Sequence, residues 1–193
     1  MTLYAANENV KDSSWFDQYD LQQLKADEIA RILLTKKVFL IDVFDTMVNP
    51  MYINGTGEPE EGFALRDGLI EILSFYRENG SRVGIHTDAW REGQLTRNAG
   101  LWGLHELVDA YFGKDHWIFQ EPGEDGKKDY SGTKDFARMA RDMNSDPSEV
   151  MIIEDSFYGI RGGLMTGIDT LIVPPYHSNP DFTFADFIPK PET

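Results

Sequence analysis

The sequence predicts an α/β protein, a three-layer α/β/α sandwich built on a parallel sheet. Val38-Phe39-Leu40-Ile41 and Val150-Met151-Ile152-Ile153 are short, wholly apolar runs rich in β-formers, the pattern of strands covered on both faces. Segments with helical spacing alternate with such strands along the chain, which calls for parallel strands joined by right-handed crossovers. Both runs end in carboxylates, Asp42 and Glu154-Asp155. In open α/β sheets, ligands bind outside the carboxyl ends of the strands.

The chain has 193 residues, 41% of them hydrophobic and 26% charged, enough for one domain with a real core, or a domain with a short appendage. Its formal net charge of −15 comes from 18 Lys and Arg against 33 Asp and Glu. A field of that sign repels polyanions, so neither nucleic acid nor an anionic membrane is the expected partner. There is no cysteine, hence no disulfide and no thiolate metal site. No apolar run approaches a membrane span, and the first residues lack a basic-then-apolar signal pattern. A cytoplasmic protein is the expectation.

Residues 1 to about 18 are polar with isolated aromatics, and read as an extended arm docking Tyr4, Trp15 and Phe16 on the body. Leu21, Leu24, Ile29, Ile32 and Leu33 recur at helical spacing, which predicts a helix from Tyr19 to Thr35 with Asp20 as N-cap. The expected division is 1–36 as N-terminal arm and helix, and 37–193 as the α/β domain. Val48 to Phe63 carries Asn-Pro, Asn-Gly and Glu-Pro signals of a loop or short hairpin. A helix opens at Arg66-Asp67-Gly68-Leu69 and closes at Asn79-Gly80. Arg82 to His86 is a strand ending in Thr87-Asp88, followed by a helix from Arg91 to Ala99 and a short strand at Ala110-Tyr111-Phe112-Gly113. Residues 120–132 are loop. Lys134 to Asn144 is a helix with Phe136, Met139, Ala140 and Met143 on one face. Gly159 to Met165 is the next helix, Thr170 to Val173 the last strand, and Phe184 to Ile188 a final apolar piece.

Carboxylates at neighbouring strand ends form an oxygen-ligand cluster suited to Mg²⁺. One such Asp often only caps the following helix, so the ordered set carries the argument. Asp42-Val43-Phe44-Asp45-Thr46-Met47 comes first, then Thr87 ending the next strand, then a Lys. Ile152-Ile153-Glu154-Asp155-Ser156-Phe157-Tyr158-Gly159-Ile160 follows, with the small-residue stretch Arg161 to Ile168. Over about residues 37–190 this resembles the haloacid dehalogenase (HAD) superfamily. The resemblance implies a Rossmann-like sheet, and the short segments after Asp42 and after Thr87 imply a member without a large cap domain.

The resemblance also implies roles. Asp42 would attack phosphorus and form an aspartyl-phosphate that water hydrolyses. Mg²⁺, held by Asp42, Glu154, Asp155 and the Phe44 carbonyl, would offset repulsion between nucleophile and substrate. Thr46, Thr87, Asp88 and a Lys would bind the substrate's phosphoryl end. Lys134, about 21 residues before Asp155, fits the family's Lys, and Lys127 or Lys128 would match a longer spacing.

One position departs from the pattern. Two residues after the nucleophile the family's phosphatases carry a second Asp as acid/base, and here that residue is Phe44, as in the metal-independent dehalogenase branch. Asp45 is one residue late, either a substitute acid/base or a turn carboxylate. His86 and Asp88 are other proton donors, with His86 expected to turn away from the site. The implied function is a Mg²⁺-dependent phosphomonoester hydrolase acting on a phosphorylated small molecule or macromolecule. The alternatives are a weakly active or inactive binding protein and, further off, a dehalogenase-type hydrolase. A site without a cap can borrow a neighbouring subunit as lid, so a homo-oligomer is among the expectations. Trp90, Trp102, Trp117, Met139 and Met143 read as packing residues, and His105, His116 and His177 lie in no metal-ligand spacing.

Overall fold

The computed structural model describes residues 2–6, 21–49, 65–118 and 133–190. Trp15, Phe16, Asp20, the turn-rich stretch after Asn49 and the 120–132 loop with Lys127 and Lys128 lie outside the described residues.

The strands are β1 (Leu3–Ala5), β2 (Leu21–Gln23), β3 (Val38–Asp42), β4 (Arg82–His86), β5 (Ala110–Phe112), β6 (Trp117–Ile118), β7 (Thr133–Lys134), β8 (Val150–Glu154) and β9 (Asp169–Ile172). The helices are α1 (Ala26–Leu33), α2 (Leu69–Glu78), α3 (Glu92–Leu101), α4 (Phe136–Asp142) and α5 (Phe157–Thr166). Seven strands form one sheet in the order β2-β1-β9-β8-β3-β4-β5, and its pairs are all parallel. β6 and β7 form a separate antiparallel ribbon. No helix among the described residues is long and apolar enough to cross a membrane.

β3 and β8 are buried at all five positions, as their apolar runs require of strands covered on both faces. Their alternate residues serve different layers. Phe39, Ile41 and Ile153 pack with Ile29 and Leu33 of α1, Ile72 and Leu73 of α2, and Leu95 of α3. Val38, Leu40, Val150 and Ile152 pack with Phe136, Met139 and Ala140 of α4. Ile160 of α5 joins Leu3, Ala5 and Ile172 on β1 and β9. Helices therefore cover both faces, and the α/β/α architecture expected from sequence is the one observed. From β3 the chain builds outward through β4 and β5 on one side, and through β8 and β9 on the other. The crevice between β3 and β8 is thus a topological switch point, where open α/β sheets bind ligands.

The N-terminal region differs from expectation. Leu21–Gln23 is a strand paired with β1, and the helix starts at Ala26 after Lys25. Leu21 and Leu24 fit a helical period, but backbone pairing along an open sheet edge satisfies the same residues in extended form. Leu3–Ala5, read as part of an arm, is hydrogen-bonded between β2 and β9. Lys134 lies in β7 rather than at a helix start; Asp135 caps α4 by accepting from the Arg138 amide. The apolar piece near the end is a 3₁₀ turn, Phe184–Phe187, packed into the α1/α2 layer.

Candidate active site

Strand parity assembles the site. Successive side chains point to opposite faces, so Asp42 shares the face of Val38 and Leu40, and Glu154 that of Val150 and Ile152. His86 is the register partner of Asp42 on β4 and shares that face. Lys134 arrives at the same layer from β7, just before α4. Its ammonium donates to Asp42 Oδ1 at 2.5 Å and to Glu154 Oε1. Lys134, Asp42 and Glu154 are all buried.

Glu154 is held by more than Lys134. Its Oε2 accepts from the Ser156 amide at 3.1 Å and hydroxyl at 2.9 Å, while the Ser156 hydroxyl caps α5 by accepting from the Gly159 amide at 3.2 Å. Gly159 is where it is because Glu154 needs the space: a Cβ there would lie 1.9 Å from the carboxylate carbon. Thr87, buried at the end of β4, donates its amide to the Phe112 carbonyl, and its hydroxyl accepts from the Ala89 amide. Asp88 beside it is exposed, and its charge still reaches Asp42 and raises it.

His86 corrects an expectation. Its ring does not turn away: Nδ1 lies 3.5 Å from Asp42 Oδ1 and 3.8 Å from Glu154 Oε1, with Phe136 edge-on at 5.0 Å. Burial first, then the Lys134 charge, pushes its pKa down to about 3. The imidazole is neutral at physiological pH.

The turn after Asp42 is braced from elsewhere. Asp45 adopts φ 59°, a conformation that Asp tolerates better than most residues. Its carbonyl accepts from Arg66 at 3.0 Å and from the Tyr176 amide at 2.7 Å. Its carboxylate accepts from the His177 amide at 3.1 Å and lies 2.8 Å from His177 Nδ1. That is the geometry of a turn carboxylate, directed at the loop beyond β9. The brace includes Arg66 and His177, which no sequence motif marks. Arg66 is buried, donates to the Pro174 carbonyl at 2.9 Å, and lies against the rings of Tyr176 and Phe182 at 4.8 and 5.0 Å. His177 was assigned no role. Next in the turn, the buried Thr46 hydroxyl donates to Asp155 at 2.8 Å. Phe44 is half-buried with its ring edge-on to Trp90 at 4.6 Å.

The ionised cluster carries two more negative charges than positive ones. Asp42, Glu154 and Asp155 are three carboxylates around one ammonium. Burial comes first in raising the pKa of each, and their mutual repulsion pushes Glu154 and Asp155 further. Burial alone would lower Lys134, but Asp42 and Glu154 more than reverse it and hold it cationic. Such a donor set suits an added hard dication. Ligand atoms of Asp42, His86 and Glu154 fall within 4.8 Å of one another, yet the Lys134 ammonium already bonds the oxygens that face His86. Both oxygens of Glu154, expected to hold the metal, instead accept from Lys134 and Ser156, which leaves Asp155 and the other oxygen of Asp42 as the side-chain ligands, with backbone carbonyls of the turn.

The structure thus brings Asp42, Lys134, Glu154, Asp155 and Thr46 together, with Thr87 on the adjacent strand end. It directs Asp45 elsewhere. Lys128, the other candidate Lys, lies outside the described residues.

No protein-family model and no curated protein sequence matches the chain. Solved structures do share its fold. A HAD-superfamily hydrolase from Ehrlichia chaffeensis superposes with a TM-score of 0.55 at 15% identity, covering 77% of this chain and 96% of that one. A predicted phosphoglycolate phosphatase from Haemophilus somnus gives 0.55 at 14% identity, over 80% and 96%. A haloacid dehalogenase-like hydrolase from Streptococcus pneumoniae gives 0.52 at 13% identity, over 80% and 90%. At these identities the likeness is one of fold.

Proposed function

We propose that the chain is a HAD-like phosphomonoester hydrolase, with Asp42 as nucleophile and Mg²⁺ as cofactor. One observation carries the reading: at the sheet's switch point, Lys134 is shared by Asp42 and Glu154 while Asp155 adds a third carboxylate. A structural ion pair needs one acid per base, and this cluster has two acids to spare.

A carboxylate oxygen of Asp42 attacks phosphorus as the bond to the departing oxygen breaks, and water later cleaves the acyl phosphate to regenerate Asp42. Lys134 orients Asp42 and, with the Thr87 hydroxyl, faces the phosphoryl oxygens. Thr46 holds Asp155. Bound by Asp42, Asp155 and the Phe44 carbonyl, Mg²⁺ would supply positive charge against the anionic substrate. The test is hydrolysis of an aryl phosphate with Mg²⁺ and with chelator. Turnover should need the metal and vanish in Asp42→Asn. Undiminished turnover in Asp42→Asn would reject the assignment.

A second reading is favoured by Phe44, a phenyl ring packed on Trp90 where a proton-transferring carboxylate would serve catalysis. The protein is then a weak catalyst or a phosphate-binding protein of the same fold. Activity appearing only in Phe44→Asp supports this second reading, and strong wild-type activity removes it.

A further inference from the structure

Lys134 is not alone on its ribbon. β6 and β7 pair antiparallel, with Trp117 directly opposite Lys134. Directly opposed residues place their side chains on the same face, with Cβ atoms about 5 Å apart. Lys134 points at Asp42 and Glu154, so the Trp117 indole stands on the site's side of the ribbon. Tyr158 leans on that indole, ring centroids 6.1 Å apart, and Phe157 meets Tyr158 edge-on at 5.7 Å. The Thr133 hydroxyl donates to the Tyr158 carbonyl at 3.3 Å, tying the ribbon to the first turn of α5. Three aromatic rings therefore sit on the two elements that carry Lys134 and follow Glu154, the β6/β7 ribbon and the first turn of α5.

Two of these rings face solvent. Phe157 is 38% exposed and Tyr158 40%. Each ring leaves part of its apolar surface in water, where burial by a ligand would be favourable. Adjacent exposed aromatics at the ligand end of a sheet mark a contact surface.

We propose that Trp117, Tyr158 and Phe157 form a stacking surface for an aromatic ring carried by the substrate. This rests on the phosphomonoesterase reading and narrows it: the substrate is a small phosphomonoester bearing an aromatic or heteroaromatic ring. The phosphoryl group sits at Asp42 and Lys134, and the ring lies over the aromatic surface beside them. Ring faces stack on exposed aromatic side chains without needing a particular hydrogen-bond pattern. An aliphatic or polyol phosphate gains nothing from such a surface. The chain's charge of −15 argues for a ligand with a single phosphate rather than a polyanion.

The experiment titrates phosphonates, which cannot be hydrolysed, into the Mg²⁺-loaded protein by calorimetry. The series is methylphosphonate and phosphonates bearing a phenyl ring on zero, one or two methylene groups. At least one aryl member should bind about tenfold more tightly than methylphosphonate, the factor one modest stacking contact supplies. The double variant Phe157→Ala/Tyr158→Ala should lose that preference and keep its methylphosphonate affinity. The rings also touch each other and Trp117, so the variant's unfolding midpoint should fall modestly, and its unchanged methylphosphonate affinity separates lost stacking from lost folding. Equal affinity across the series, or a preference surviving in the double variant, overturns the stacking surface alone. If methylphosphonate itself fails to bind, the phosphomonoesterase reading falls and takes this inference with it.

Discussion

Two buried ammonium groups sit at opposite ends of the same sheet. At the amino ends of the strands, Lys36 donates to Asp169 at 2.8 Å and to the Ser148 carbonyl at 2.9 Å, and the other oxygen of Asp169 accepts from the Thr2 amide. At the carboxyl ends, Lys134 serves Asp42 and Glu154 with Asp155 alongside. Their exposures are similar, 7% and 3%, so burial does not separate them. Stoichiometry does. Lys36 has one acid and a neutral acceptor, a closed arrangement that ties β9 to the chain around β3 and β1. Lys134 has too many acids, and a folded protein keeps such an excess where a ligand will cancel it.

The sharpest way to break the comparison is to remove each ammonium. Lys134→Met should lower aryl phosphate turnover by about 10³-fold, on the scale of losing a key charge-stabilising donor. Lys36→Met should leave turnover within about twofold and instead destabilise the fold by about 1–3 kcal/mol in denaturant melts, because Asp169 loses its cationic partner. If both variants lose activity equally, the two ends are not different in kind.

Packing supplies the next effect. Gly159→Ala pushes a methyl into the Glu154 carboxylate and should destabilise by about 1–3 kcal/mol, the usual range for overpacking. Turnover should fall as well, since Glu154 orients Lys134. A wild-type melting curve and wild-type rate together would show that the cluster has slack.

The smallest effect has an unusual sign. Asp155 has a pKa raised in the folded state by burial and by its neighbours, so ionising it opposes folding. That stability returns as pH falls through the folded pKa. Asp155→Asn should therefore raise the metal-free melting temperature by a few degrees, about 1 kcal/mol. It should also abolish the stabilisation that Mg²⁺ gives the wild type. The matching change Asp169→Asn should lower the melting temperature, and calorimetry of both variants decides.

What the sequence disclosed, and what it hid, follows from how each residue is satisfied. β3 and β8 were legible because strands buried on both faces must be apolar at every position. Asp42 and Glu154 were legible as strand ends because apolar runs lead into them, whereas Lys134 was one of three candidate Lys, singled out by the resemblance and not by its local sequence. Leu21–Gln23 was not: it is a three-residue strand near the sheet edge with Gln22 and Gln23 exposed, so it needs no apolar run and imitates the start of a helix. His86 could have been placed by counting parity from Gly84 on β4, whose face packs on Phe112 and Met143. Arg66 and His177 carried no signal, because their partners are carbonyls and a carboxylate from far along the chain.

The pairing of β1 with β9 carries a consequence for the order of folding. The Thr2 amide and Asp169 carboxylate are 167 positions apart, and Leu3–Ala5 aligns with Thr170–Ile172. As the chain is made, Leu3–Ala5 must wait for residues 169–172 before β9 can receive it, and β2 depends on β1 in turn. Contacts this distant in sequence are slow to form. The first of the described strands is thus among the last to find its place.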